Sequence, residues 1–111
     1  MLKKDLEFLS AMVEAPSPSG YEQPAASVFR ERMRPVADEV ETNVMGSVHA
    51  LLKGKKSGVS VMLAGHIDEI GLMVNYVSKE GFISFAAVGG VDAAILPRMR
   101  VKVHTLSLIH I

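Results

Sequence analysis

The sequence predicts an α/β fold that opens with helices and passes into strands. Three features carry the prediction. Apolar residues recur with a helical period over the first third of the chain, and the period drops to two from Val36 onward. Val59–Gly65 is then a continuous apolar run, the pattern of a strand covered on both faces as in an α/β sheet. Everything after about Val74 reads as strands and turns alone, which divides the chain into two architectural pieces with the second only begun.

Leu2, Leu6, Leu9 and Val13 repeat at spacings of 4, 3 and 4, while Lys3, Lys4, Asp5 and Glu7 take the other side. That is an amphipathic helix covering a core. It stops at Ala15-Pro16-Ser17-Pro18-Ser19-Gly20, because each proline pushes its predecessor out of helical geometry. Ser19 and Glu22 have the S-x-x-E spacing of a capping box, opening a second helix through about Met33. Pro24 sits early enough in it to forfeit only about one backbone bond. Ala26, Phe29 and Met33 give its buried face, and Arg30, Glu31, Arg32 and Arg34 read as a solvated face.

Val40–Val44 and Val48–Leu52 flank Met45-Gly46-Ser47, a hairpin-like turn. Gly54-Lys55-Lys56-Ser57-Gly58 is a polar turn leading into the apolar run. Ile70–Val77 and Phe82–Val88 form a second strand pair about Lys79-Glu80-Gly81, and a last strand is expected from Met99 to Thr105. The final Leu106-Ser107-Leu108-Ile109-His110-Ile111 follows without a turn or cap, as though the chain were cut off.

With 111 residues the chain holds one small domain. It is 49% hydrophobic and only 5% aromatic, with a mean hydropathy of +0.26. That is apolar for a free-standing domain, which implies that some of this surface is meant for a partner or for more chain. Twelve basic and twelve acidic residues balance, so no net field favours nucleic acid or an anionic membrane, and neither is expected as a partner. The absence of cysteine excludes disulfides and thiolate metal sites. Asp5 and Glu7 interrupt the N-terminus where a signal peptide is apolar, and no window reaches the roughly 18 uncharged apolar residues of a membrane span. A cytoplasmic protein is expected.

His66, Asp68 and Glu69 break the apolar stretch Val59–Val74, and ionisable groups among that much aliphatic surface cost several kcal/mol unless paired or bound. His66 and Asp68 are two apart, so an extended segment points both to one side, just past the carboxyl end of the buried strand. A carboxylate that accepts the second ring N–H of a metal-ligating histidine fixes the ring and raises its basicity. On spacing alone His66 is either such a ligand or a structural histidine satisfied by a backbone carbonyl.

Gly65-His66-Ile67-Asp68-Glu69-Ile70-Gly71-Leu72-Met73-Val74 closely resembles the metal-ligand strand of the dinuclear-metal aminopeptidases that assemble into tetrahedral particles, the glutamyl and deblocking aminopeptidases. Pro16–Glu22, Met45–Val48, Gly81–Ile83, Val88–Asp92 and Arg100–Val103 agree with that family in order and spacing. The resemblance implies a metal-dependent aminopeptidase that removes N-terminal amino acids from peptides. His66 would ligate one of two divalent metal ions, zinc or cobalt, and Asp68 would orient His66 without being a ligand itself, with direct ligation by Asp68 as the less favoured alternative. No family role attaches to Glu69, whose expected place is a salt bridge or solvent.

The family's fold implies that residues 1–73 begin a phosphorylase/hydrolase-like α/β sandwich catalytic domain. Residues 74–105 would begin an inserted β-rich dimerisation domain, and 106–111 a non-native tail. The family's oligomer is built of dimers assembling to a dodecamer. Its bridging aspartate, general-base glutamate and other ligands lie further along a chain about three times as long, so this chain alone is expected to be inactive. Asn43 and Ser47 stand where the family tends to have Asp and Asn, which implies a less tightly bonded turn at Gly46. Two other classes compete with this reading: a non-catalytic assembly module, and a related di-metal hydrolase of N-acyl amino acids. His49 and His104 lie in strand patterns with no partner residues and are expected to be structural or exposed.

Overall fold

A computed structural model describes residues 3–56 and 58–105; the expectations for Leu2 and for the tail at 106–111 lie outside the described residues. The described residues form two helices, α1 (Lys3–Glu14) and α2 (Gln23–Met33), and two antiparallel hairpins. The first hairpin pairs β1 (Glu39–Thr42) with β2 (Val48–Leu51); the second pairs β3 (Gly71–Val77) with β4 (Ile83–Val88). A single 3-10 turn at Ala93–Ile95 follows, opened by the Asp92 carboxylate accepting from the Ala94 N–H. The result is a small α/β structure. None of its described helices is long and apolar enough to cross a membrane.

The two helices pack on each other, and α2 rests against β2. Arg32 joins the helices twice: its guanidinium lies 3.2 Å from Asp5 Oδ1 and 5.7 Å from the centre of the Phe8 ring. Arg30 donates to Ser27 Oγ at 2.6 Å and to Thr42 Oγ1 at 3.3 Å, tying α2 to β1. Two of the arginines expected on a solvated face therefore bridge elements. The buried face of α2 is made by Ala25 and Ala26.

The expected capping box does not form. Glu22 stands at the N-cap with helical dihedrals and no side-chain capping bond, and its carboxylate accepts instead from the Gly20 N–H. The Ser19 hydroxyl donates to Asp68 Oδ2 at 2.6 Å. A hydroxyl bonded to a carboxylate gains roughly twice what a neutral pair does, which is why the tertiary partner takes it from the cap.

The Gly46 turn is well bonded. Asn43 Oδ1 accepts from the N–H groups of Met45 and Ser47, the Asn43 N–H donates to the Ser47 carbonyl, and Gly46 takes the φ of +88° that favours glycine. An asparagine carbonyl does here what an aspartate would do, so the turn is not loosened by it.

Two expected strands are absent among the described residues. Val59–Gly65 is not in a strand, and Val59 and Leu63 are 93% and 94% exposed. Met99–Thr105 likewise lies outside the described strands. A strand is a pairing, and neither stretch forms a ladder with another described segment. The Cα radius of gyration is accordingly 18.2 Å, against about 13 Å for a compact domain of roughly 100 residues.

Candidate functional site

The site is built where a loop between the helices meets the residues that follow the apolar stretch. Loop 15–20 runs beside 66–69 and is stitched to it by main-chain bonds. The Glu69 N–H donates to the Ser17 carbonyl at 2.8 Å, and the Ser19 N–H donates to the Glu69 carbonyl at 3.3 Å, forming a parallel bridge between Pro18 and Glu69. The Glu69 side chain closes the same contact, its Oε1 accepting from the Ser17 N–H at 3.1 Å. Ser17 is 5% exposed, so that N–H has little access to water and depends on this partner.

Glu69 is exposed, as expected, and its carboxylate also holds the loop. Glu69→Ala leaves the Ser17 N–H buried and unpaired, an expected loss of about 1–3 kcal/mol of stability. The urea midpoint should fall and protection of the Ser17 amide from hydrogen exchange should disappear. Unchanged exchange at Ser17 would refute the assignment.

His66 and Asp68 come together as neighbours on one side. His66 Nδ1 lies 3.1 Å from Asp68 Oδ1 and 3.1 Å from the Asp68 backbone carbonyl oxygen. A carbonyl oxygen and an ionised carboxylate can only accept, so Nδ1 carries a proton, and in the neutral form of the ring the Nε2 lone pair is open. The Ser19 hydroxyl, and then the His66 ring, hold the Asp68 carboxyl below its ordinary range, which keeps it ionised and an acceptor. The His66 side chain is 86% exposed and that of Asp68 40% exposed. Packing therefore does little to orient the imidazole; its bonds to Asp68 do.

The pair borders an open depression of about 340 Å³, lined also by Met12, Val13, Ser17, Ile67 and Glu69. Of the other histidines, His49 is exposed on β2 opposite Glu41, and the His104 ring lies 6.3 Å from that of Tyr21. Among the described residues, no three His, Cys, Asp or Glu side chains converge so as to hold a metal ion. The donor set fits one ligand, a tautomer-fixed imidazole, and does not by itself fit a metal centre. The structure brings together His66 and Asp68, the two residues the sequence singles out, and adds Ser19 on the far oxygen of Asp68, which the S-x-x-E spacing assigns to a helix cap.

A family model describing M42 glutamyl aminopeptidase matches residues 46–110. The lysyl aminopeptidase of Pyrococcus furiosus is 36% identical over 102 residues, 91% of this chain and 29% of that protein. A putative aminopeptidase of Acetivibrio thermocellus is 39% identical over 84 residues, 76% of this chain and 25% of that protein. Among solved structures, a TET aminopeptidase from a marine-sediment Thaumarchaeota archaeon superposes with a TM-score of 0.72 at 39% identity. That superposition covers 78% of this chain and 24% of the other. The chain spans less than a third of the length of the curated relatives it matches. On the family match over residues 46–110, the chain belongs to the M42 glutamyl aminopeptidase family.

Proposed function

We propose that this chain supplies part of a metal-dependent aminopeptidase that hydrolytically releases N-terminal amino acids from peptides. The observation that carries the reading is the His66–Asp68 pair: Nδ1 committed to Asp68, Nε2 open. His66 is then a ligand, through Nε2, to one of two divalent ions, zinc or cobalt, and Asp68 orients it from behind. Bound divalent ions in such an enzyme polarise a carbonyl and acidify water. The part this chain plays is to present one imidazole in one tautomer and one direction.

In this reading residues 1–73 begin the α/β sandwich catalytic domain and 74–105 the inserted β-rich dimerisation domain. The assembly is an oligomer of dimers reaching a dodecamer, for which the likeness to a relative called a TET aminopeptidase is the support, and its place is the cytoplasm. A second reading, a non-catalytic assembly module, is favoured by one observation: the exposed apolar run that includes Val59, Val61, Met62 and Leu63.

Cobalt titration separates the two. His66→Ala should weaken the binding detected by titration calorimetry by on the order of tenfold or more, since even losing an outer partner of a ligand costs 10–100-fold. Equal binding by wild type and His66→Ala would leave only the scaffold reading.

A further inference from the structure

We propose that Ser19 is a positioning residue: its hydroxyl fixes the Asp68 carboxylate so that the other oxygen meets His66 Nδ1. The geometry is a relay of two bonds through one carboxylate. Ser19 Oγ donates to Asp68 Oδ2 at 2.6 Å, and Asp68 Oδ1 lies 3.1 Å from His66 Nδ1. The first of these has the short length of a hydroxyl bonded to an ionised carboxylate. With Oδ2 held, rotation of the carboxylate about its Cβ–Cγ bond is stopped, and Oδ1 is left aimed at the ring.

The hydroxyl is placed by the backbone rather than by Asp68. The Ser19 N–H is bonded to the Glu69 carbonyl, the Tyr21 N–H closes a turn on the Pro18 carbonyl at 2.7 Å, and Ser17 is pinned on both its N–H and its carbonyl. Ser19 therefore arrives at Asp68 with its position already set, and holding the carboxylate costs little further ordering. Asp68 needs this help because water reaches it, and His66 needs it because almost none of its side chain is packed. The Asp68 backbone carbonyl supplies a second acceptor for Nδ1, so loss of the hydroxyl loosens the ring without freeing it.

The inference rests on the reading of Asp68 as the carboxylate that orients His66, and the test separates the two. Nitrogen NMR of the His66 ring in the 111-residue chain, at about pH 8 where a histidine is ordinarily neutral, reads the tautomer directly. In wild type the Nδ1 signal should lie in the protonated range and Nε2 in the unprotonated range. In Ser19→Ala the two signals should move towards each other, part of the way to their positions in Asp68→Ala. Ser19→Thr keeps the hydroxyl at an exposed position and should restore the wild-type signals. Ser19→Ala added to Asp68→Ala should shift nothing further, because the hydroxyl acts only through that carboxylate.

A Ser19→Ala ring identical to wild type, beside a shifted Asp68→Ala ring, overturns the role of Ser19 and spares that of Asp68. If Asp68→Ala also leaves the signals in place, the orienting role of Asp68 itself fails. Failure of Ser19→Thr to restore the signals, or a further shift in the double variant, overturns the relay in favour of a packing role. Amide spectra of β3 and β4 serve as the check that each variant keeps its fold.

Discussion

Supplied with zinc or cobalt, the 111-residue chain is expected to release no amino acid from a chromogenic aminoacyl amide. The reason is a count of donors. A catalytic zinc takes about three protein ligands and keeps one position open, and a two-metal site needs more. His66 offers one nitrogen, Asp68 faces away into Ser19 and the ring, and Glu69 is spent on the Ser17 N–H. No other His, Asp or Glu among the described residues joins them in a group of three. Removing even one ligand from a metallohydrolase is severe; here most of a site would have to come from elsewhere. The assay is a rate above the metal-only blank, with His66→Ala as the control. Metal-dependent release abolished by His66→Ala would show that this chain assembles a working centre and would sink the prediction.

The donor count also shows which parts of the molecule were legible in the sequence. Both helices and both hairpins are local: Leu6, Leu9 and Val13 lie within one helix, and Lys79-Glu80-Gly81 joins strands that pair with each other. Periodicity and turn chemistry describe such elements because their partners are a few residues away. Val59–Gly65 and Met99–Thr105 have the composition of strands, but composition cannot provide the partner that a ladder requires, and neither stretch forms a ladder with another described segment. At the site, H-x-D spacing correctly brought His66 and Asp68 to one side. The bond from Ser19 spans 49 residues and carries no local signature beyond S-x-x-E, which a helix cap shares. Glu69 was unreadable for the same reason, since its partner is a backbone N–H 52 residues earlier.

Gly71→Ala should destabilise the chain by about 1–3 kcal/mol, the cost of forcing an extra methyl into a filled position. A Cβ at residue 71 falls 2.8 Å from Pro18 Cβ, closer than two carbon atoms pack, and the proline ring cannot swing aside as a flexible side chain can. Gly71 follows the bridge between Pro18 and Glu69 by two residues, so any relief of the clash must lift loop 15–20 away from that bridge. The glycine of the family-like block is therefore needed on steric grounds. Its bare Cα lets Pro18 lie against β3, which brings Ser17 to Glu69 and Ser19 to Asp68. Urea unfolding checks the cost, with Gly54→Ala as a control because a methyl there makes only an ordinary 3.6 Å contact. In a Pro18→Gly background, which removes the opposing Cβ, the penalty of Gly71→Ala should shrink. Clashing neighbours couple in this way, whereas an effect of Gly71 on its own strand would be additive. The same substitution should move the His66 ring signals in the direction of Ser19→Ala, since lifting the loop takes the hydroxyl from Asp68. Full stability in Gly71→Ala, or an unchanged penalty without Pro18, would contradict the steric account.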